Sequence, residues 1–337
     1  MKSDDHSTPL DPQLAAIVAA LQARGAPPPF SGTPQEARGR MQRAILGGRA
    51  HTPLPDISSF EDVLAQAEGL TVPVRIYRPR DTRLPLPTVL FLHGGGFVLG
   101  SIELMDDIAR KLCRDLHAVV VSVEFRLAPE HPFPAAHDDA LAAAVWVQQH
   151  VLELGGDAHS IAIAGESAGA NLAAATALTL RDRGTPLAAQ LLVVPGVDLA
   201  RDVARIAATG RNYPMLTAAD LADIARLYIG TTPQAALSFP ASPLRAASLA
   251  GAPPAVIALA GHDPLHGEGL AYAERLRADG VQAEVLDFAD MFHPFFGFFA
   301  ASDSARRASD AVCQAFSDLL RRPEVLSTLS NNQKETT

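Results

Sequence analysis

The segment that most constrains this chain is Ser160-Ile-Ala-Ile-Ala-Gly-Glu-Ser-Ala-Gly-Ala-Asn-Leu-Ala-Ala-Ala175. An apolar run suited to a buried strand passes straight into G-x-S-x-G (Gly165 to Gly169) and then into small, helix-compatible residues. Where strand and helix draw that close, side chains at 165 and 169 would collide, so both positions need glycine. The central serine is pushed onto a strained turn that exposes its hydroxyl at the end of the sheet. Reading Ser167 as a simple helix N-cap accounts for the serine but not for both glycines.

A strand–turn–helix unit needs a sheet to belong to. Short apolar runs at residues 72–77, 89–92, 119–123, 161–164, 191–194, 256–259 and 283–286 suit strands, most of them buried on both faces. Helical patterns at 104–116, 135–152, 168–181 and 266–278 alternate with them. Strand and helix in repetition predict a mainly parallel, doubly wound sheet. Two further helical stretches, 11–24 and 34–46, stand ahead of the first strand, the second ending at Gly47-Gly48. The connection from 199 to 250 is longer than a crossover needs and carries its own helix near 218–229, which makes it the expected lid.

A serine hydroxyl becomes a useful nucleophile when a base takes its proton and a carboxylate orients the base. On a sheet of this kind the expected chain order is Ser, acid, His. After Ser167, the run 255–260 ends in Gly261-His-Asp-Pro-Leu265, which puts Asp263 beyond a strand's carboxyl end. The next run leads to Asp287-Phe-Ala-Asp-Met-Phe-His293, which puts His293 on the following loop. Loops beyond the carboxyl ends of strands are where such sheets build sites. His262 and His266 remain rivals as base, and Asp287 and Asp290 as acid.

The run Thr88-Val-Leu-Phe-Leu-His-Gly-Gly-Gly-Phe97 ends in three glycines that contribute only backbone. They suit either a phosphate cradle or an oxyanion hole. No Lys-Ser/Thr follows at P-loop spacing and no G-x-G-x-x-G opens a helix, so the phosphate reading lacks its own requirements. An oxyanion hole needs one N–H from the residue after the nucleophile, Ala168, and others from a loop after an early strand. His93-Gly-Gly-Gly-Phe97 is such a loop.

Composition removes other classes. A net charge of −9 argues against nucleic acid as partner. No apolar run is long enough to span a bilayer, and Met1 to Gln13 has no signal-like apolar stretch, so the chain reads as cytoplasmic. Cys113 and Cys313 read as buried free thiols. His131 and His137 flank a proline-rich segment that cannot set them one helical turn apart, and no metal site is expected. Asp106-Asp107 and Asp138-Asp139 read as charges near helix N-termini. Arg126 and Glu130 read as loop scaffold, and the phenylalanines at 292, 295, 296, 298 and 299 as either core or acyl pocket.

Taken with Phe125-Arg-Leu-Ala-Pro-Glu130 and Asp263-Pro-Leu, these motifs make the chain resemble the hormone-sensitive-lipase-like esterases, the bacterial family IV carboxylesterases. The resemblance runs from Leu10 to His293. It implies an α/β-hydrolase fold, a doubly wound, mostly parallel sheet of about eight strands under a helical cap. It implies Ser167 as nucleophile, Asp263 and His293 as its partners, and oxyanion donors on Gly95, Gly96 and Ala168. His93 would brace the loop, with Gly94 and Glu166 in support. The implied division is a helical cap segment over 1–50, a catalytic domain over 51–325 interrupted by a cap insertion at 199–250, and a flexible tail over 326–337. The implied activity is hydrolysis of short- to medium-chain esters through an acyl-enzyme, with a small-molecule ester as partner and no cofactor. Relatives often dimerise through an edge strand, here residues 283–288. A lipase or an amidase shares the same residues. A non-catalytic receptor on this fold, as in the plant gibberellin receptors, lacks the histidine that stands here as His293. Against the family pattern, Glu166 replaces Asp, Phe125 replaces Tyr, Pro294 replaces Gly and Gly267 replaces Asp.

Overall fold

In the computed structural model, which describes residues 8–49, 52–80 and 85–321, the apolar runs assemble into one sheet. Its strands are β1 (Ser59–Ala67), β2 (Leu70–Arg78), β3 (Leu86–Leu92), β4 (Val119–Val123), β5 (Gly156–Glu166), β6 (Ala189–Val193), β7 (Ala255–His262) and β8 (Ala283–Phe292). They lie side by side in the order β1-β2-β4-β3-β5-β6-β7-β8. The β1–β2 and β2–β4 pairings are antiparallel, and every pairing from β4 across to β8 is parallel. The doubly wound, mostly parallel sheet expected from the sequence is borne out.

The helices are α1 (Pro12–Ala23), α2 (Pro34–Arg49), α3 (Asp106–Leu116), α4 (Ala135–His150), α5 (Ala168–Asp182), α6 (Val203–Ala208), α7 (Ala218–Ile229), α8 (His266–Ala278) and α9 (Asp303–Leu320). Side chains alternate across a strand, so each strand feeds two layers. On β3, Val89 and Phe91 join Ile108, Leu112, Val312 and Phe316 of α3 and α9. Leu90 and Leu92 join Ala140 and Val147 of α4 and Leu172 of α5 on the other face. Residues 199–250 carry α6, α7 and two short 3-10 turns, Pro233–Leu237 and Pro243–Arg245. Among the described residues no helix is long and apolar enough to cross a membrane. The tail 326–337 lies outside the described residues.

Four elements differ from the sequence reading. Strand β1 has no alternating signal because much of it is exposed; only Ala65 is buried. Helix α2 runs through Gly47-Gly48 to Arg49, whose guanidinium donates to the carbonyls of Glu103 and Leu104 and to Asp107. That tertiary anchor outweighs the propensity cost of two glycines. Strand β8 extends from Ala283 to Phe292, so Asp287 and Asp290 stand within a strand and not on the loop of His293. Helix α9 follows the last motif and closes the α3 face through Phe316 and Val312.

Candidate active site

The turn after β5 explains its own composition. Ser167 sits at φ 57°, ψ −115°, a left-handed conformation that costs a non-glycine residue energy. It is held there by Ser167 N–H donating to Val193 O at 2.8 Å. A Cβ on Gly165 would stand 2.2 Å from Gly169 O, and one on Gly169 would stand 1.9 Å from Leu92 O. Strand, turn and helix therefore close up only with glycine at both positions.

Register brings the other two side chains to this turn. His262 of β7 pairs with Phe292 of β8, so Asp263 and His293 leave adjacent strands side by side. Asp263 Oδ2 lies 2.8 Å from His293 Nδ1, and His293 Nε2 lies 2.8 Å from Ser167 Oγ. All three residues are buried, with 3%, 5% and 9% of their surfaces exposed. A carboxylate only accepts hydrogen bonds, so Nδ1 carries the ring proton and Nε2 accepts from the serine hydroxyl. The remaining oxygen of Asp263, Oδ1, accepts Leu265 N–H at 2.8 Å, which fixes the carboxylate plane.

Of the rival residues, His262, His266 and Asp287 contact other groups, and Asp290 is tied down through its backbone. His266 Nε2 contacts Asp287 at 3.0 and 3.1 Å, and His262 Nε2 lies 3.1 Å from Thr8 O. Asp290 takes Asp11 N–H on its carbonyl at 2.9 Å, tying the start of α1 to β8. It lies in β8, three residues before the histidine.

The first of the three glycines lies beside the serine turn. Gly94 lies against Glu166: a Cβ there would stand 3.3 Å from the Glu166 carbonyl oxygen and 3.4 Å from its Oε2. Among the described residues, none of the N–H groups of Gly95, Gly96 and Ala168 donates to a backbone carbonyl. Ala168 opens α5, so its N–H also sits at the positive end of the helix dipole. His93 is buried under the loop, with Nδ1 2.8 Å from Gly94 O and its ring stacked on Phe125 at 4.2 Å. The Phe125 ring, where the family resemblance expects tyrosine, thus packs against His93. Burial pushes His93 down to about 4, so the ring stays neutral near pH 7. Glu166 is fully buried, and burial, reinforced by the charge of Asp107, pushes its carboxyl up to about 8.

Other sequence expectations sort as follows. Phe292, Phe295 and Phe296 are core, packed with α3 and α9. Asp106 and Asp107 do more than add charge to the first turn of α3: Asp106 accepts Tyr77 O–H and binds Arg110, and Asp107 binds Arg49. Asp139 holds Arg126 through two oxygens. Sequence reasoning missed a polar cluster around His137, whose Nδ1 lies 2.7 Å from Tyr228 Oη on α7 and whose Nε2 lies 3.1 Å from Asn171 Oδ1 on α5. Tyr228 stacks on Phe97 of the glycine loop with ring centroids 3.9 Å apart. These residues are too distant along the chain for any local pattern to join them.

Known proteins share this fold. Residues 89–297 match the family model of the α/β-hydrolase fold. Over 239 residues the chain is 39% identical to the esterase LipI of Mycobacterium tuberculosis, spanning 70% of this chain and 74% of LipI. It is 33% identical over 319 residues to the ethyl acetate hydrolase of Pseudomonas putida, spanning 91% of this chain and 98% of that protein. Among solved structures, the hyperthermophilic esterase of the archaeon Pyrobaculum calidifontis superposes with a TM-score of 0.83 at 39% identity, covering 93% of this chain and 99% of the other.

Proposed function

We propose how this chain, which belongs to the α/β-hydrolase family and is a carboxylic ester hydrolase, uses its buried serine: as the nucleophile of a two-step hydrolysis of short- to medium-chain esters. The observation that carries the reading is the unbroken line Asp263–His293–Ser167, with both links at 2.8 Å. In the first step Ser167 Oγ attacks the ester carbonyl carbon while its proton passes to His293 Nε2. The negative charge that gathers on the carbonyl oxygen is met by the N–H groups of Gly95, Gly96 and Ala168, each such donor being worth about 3 kcal/mol. His293 then gives its proton to the departing alkoxide, leaving an acyl-enzyme and an alcohol. In the second step His293 takes a proton from water as the oxygen attacks the acyl carbon, then gives that proton to Ser167 Oγ as the acyl C–Oγ bond breaks and the carboxylic acid leaves. Asp263 holds the imidazole in the required tautomer and stabilises its cation throughout.

We read α1, α2, the link between them and residues 199–250 as a cap over this site. What supports it is the contact of two of their side chains with the glycine loop. A Cβ on Gly96 would stand 2.7 Å from Ile224 Cδ1 of α7 and 2.9 Å from Phe30 Cε1. Apolar walls at that point suit an acyl chain of modest length. β8 is an edge strand, and we read its open side as the surface for a second copy of the chain. The test of the serine assignment is Ser167→Ala in p-nitrophenyl butyrate hydrolysis. A folded variant should lose about a thousandfold or more in kcat/KM; one that keeps wild-type turnover excludes Ser167 as nucleophile.

A further inference from the structure

The glycine loop is gripped from outside by the second N-terminal helix. Arg38 of α2 spreads its guanidinium over two carbonyls and a carboxylate. Nε donates to Val98 O at 2.8 Å and Nη2 to Ala128 O at 2.8 Å. Nη1 and Nη2 donate to the two carboxylate oxygens of Glu130 at 2.8 and 2.7 Å. Gln35, one turn earlier, donates to Glu130 Oε1 at 2.9 Å. The pairing holds the Glu130 carboxyl down at about 2, so the grip stays charged near neutral pH.

Each grip acts on a rigid plane. The Val98–Leu99 peptide, held by Arg38 at its carbonyl, presents its N–H to Gly95 O at 2.8 Å. The Phe97–Val98 peptide, held at its carbonyl by Ala128 N–H at 2.9 Å, presents its own N–H to the same Gly95 O at 3.1 Å. Ala128 is itself held by Arg38 at its carbonyl. The Gly95 carbonyl thus receives two donors, and the peptide it belongs to carries the Gly96 N–H on its opposite edge. A trans peptide is planar, so fixing the direction of the carbonyl fixes the direction of that N–H. Hydrogen bonds in series also polarise one another.

We propose that Arg38 is a positioning residue for ester hydrolysis, aiming the Gly96 N–H at the oxyanion through the Val98–Leu99 and Gly95–Gly96 peptides. The inference rests on the reading of Gly96 as an oxyanion donor. Arg38 touches no reacting atom, so its effect falls on the transition state and leaves ground-state binding nearly untouched. Its fixed fork reaches two carbonyls and a carboxylate at once, which the single ammonium of a lysine does less well.

The test compares wild type, Arg38→Ala and Arg38→Lys in p-nitrophenyl butyrate hydrolysis. It also compares the binding of an alkyl trifluoromethyl ketone with that of the methyl ketone of equal chain length. The fluorinated ketone accepts a bond from Ser167 Oγ to its carbonyl carbon, the serine proton passes to His293, and the resulting alkoxide needs the oxyanion donors. Arg38→Ala should lower kcat by about ten- to a hundredfold, with KM within about twofold, as misalignment of one oxyanion donor requires. The affinity advantage of the fluorinated ketone should fall by the same factor, and Arg38→Lys should lie between. Free guanidinium ion should restore part of the Arg38→Ala rate, because a surface cleft of about 210 Å³ opens beside Arg38, Gln42, Gly100 and Ser101. Wild-type kcat in Arg38→Ala overturns the proposal, as does a loss confined to KM with the ketone advantage intact. If Arg38→Ala loses its circular-dichroism spectrum, Arg38→Lys decides by the same two criteria. If wild type itself shows no advantage for the fluorinated ketone, the oxyanion reading fails and the role of Arg38 with it; if it shows one that both variants keep, the role of Arg38 alone fails.

Discussion

Asp263 and His293 each follow one member of a register pair, His262 on β7 and Phe292 on β8, and their side chains meet at 2.8 Å. Parallel strands carry their ends forward together, so one residue past a paired position on each strand is the place where two side chains face each other without help from a long loop.

That relationship predicts which carboxylate matters. Asp263→Asn leaves the imidazole without an anionic acceptor for its Nδ1 proton and should lower kcat by about 10⁴ with little loss of folding. Asp290→Asn should cost roughly tenfold or less. Steady-state kcat for both variants, alongside their urea midpoints, checks the pair; losses in the reverse order would put the acid on β8.

Glu166 predicts a pH dependence of stability. Burial, with Asp107 adding to it, raises its carboxyl to about 8. A group that holds its proton more tightly when folded contributes stability that is complete below the unfolded carboxyl value near about 4.3. That contribution is lost as pH rises toward the folded value, at no more than about 1.4 kcal/mol per pH unit. Glu166→Gln cannot ionise, so between about pH 5 and about pH 8 it should lose less stability than wild type. Urea unfolding across that window measures the difference, and parallel curves for the two proteins would show that Glu166 ionises freely.

The contacts of Ile224 and Phe30 with Gly96 predict selectivity. Ile224→Ala opens space over the oxyanion loop and should raise the ratio of kcat/KM for octanoyl over acetyl p-nitrophenyl esters by about tenfold. Deleting residues 1–30 removes Phe30 and should move chain-length preference more than it moves the pH profile of kcat. An unchanged ratio in a folded Ile224→Ala enzyme would place the acyl chain elsewhere.

How much of this was legible beforehand depends on how local the cause is. The G-x-S-x-G turn was readable because Gly165, Ser167 and Gly169 constrain one another within five residues. The order Ser167, Asp263, His293 was readable because each follows an apolar run that becomes a strand. Strand β1 was not, since an edge strand with most residues exposed leaves no period-two signal. The full length of β8 is not legible, because polar Asp287 still pairs with β7 and the pairing resumes at Phe292 after an irregularity. The reach of Arg38 to Val98 and Glu130 spans 60 and 92 positions and exists only once the chain has folded.

Covalent trapping of the nucleophile tests the central claim most directly. A p-nitrophenyl alkylphosphonate should release one equivalent of p-nitrophenol per active chain as activity is lost. Peptide mapping by mass spectrometry should then find the phosphonyl adduct on Ser167 and on no other serine. Ser167→Ala should release none above background. Stoichiometric labelling of that variant, or an adduct on a different residue of the wild-type enzyme, would contradict the account.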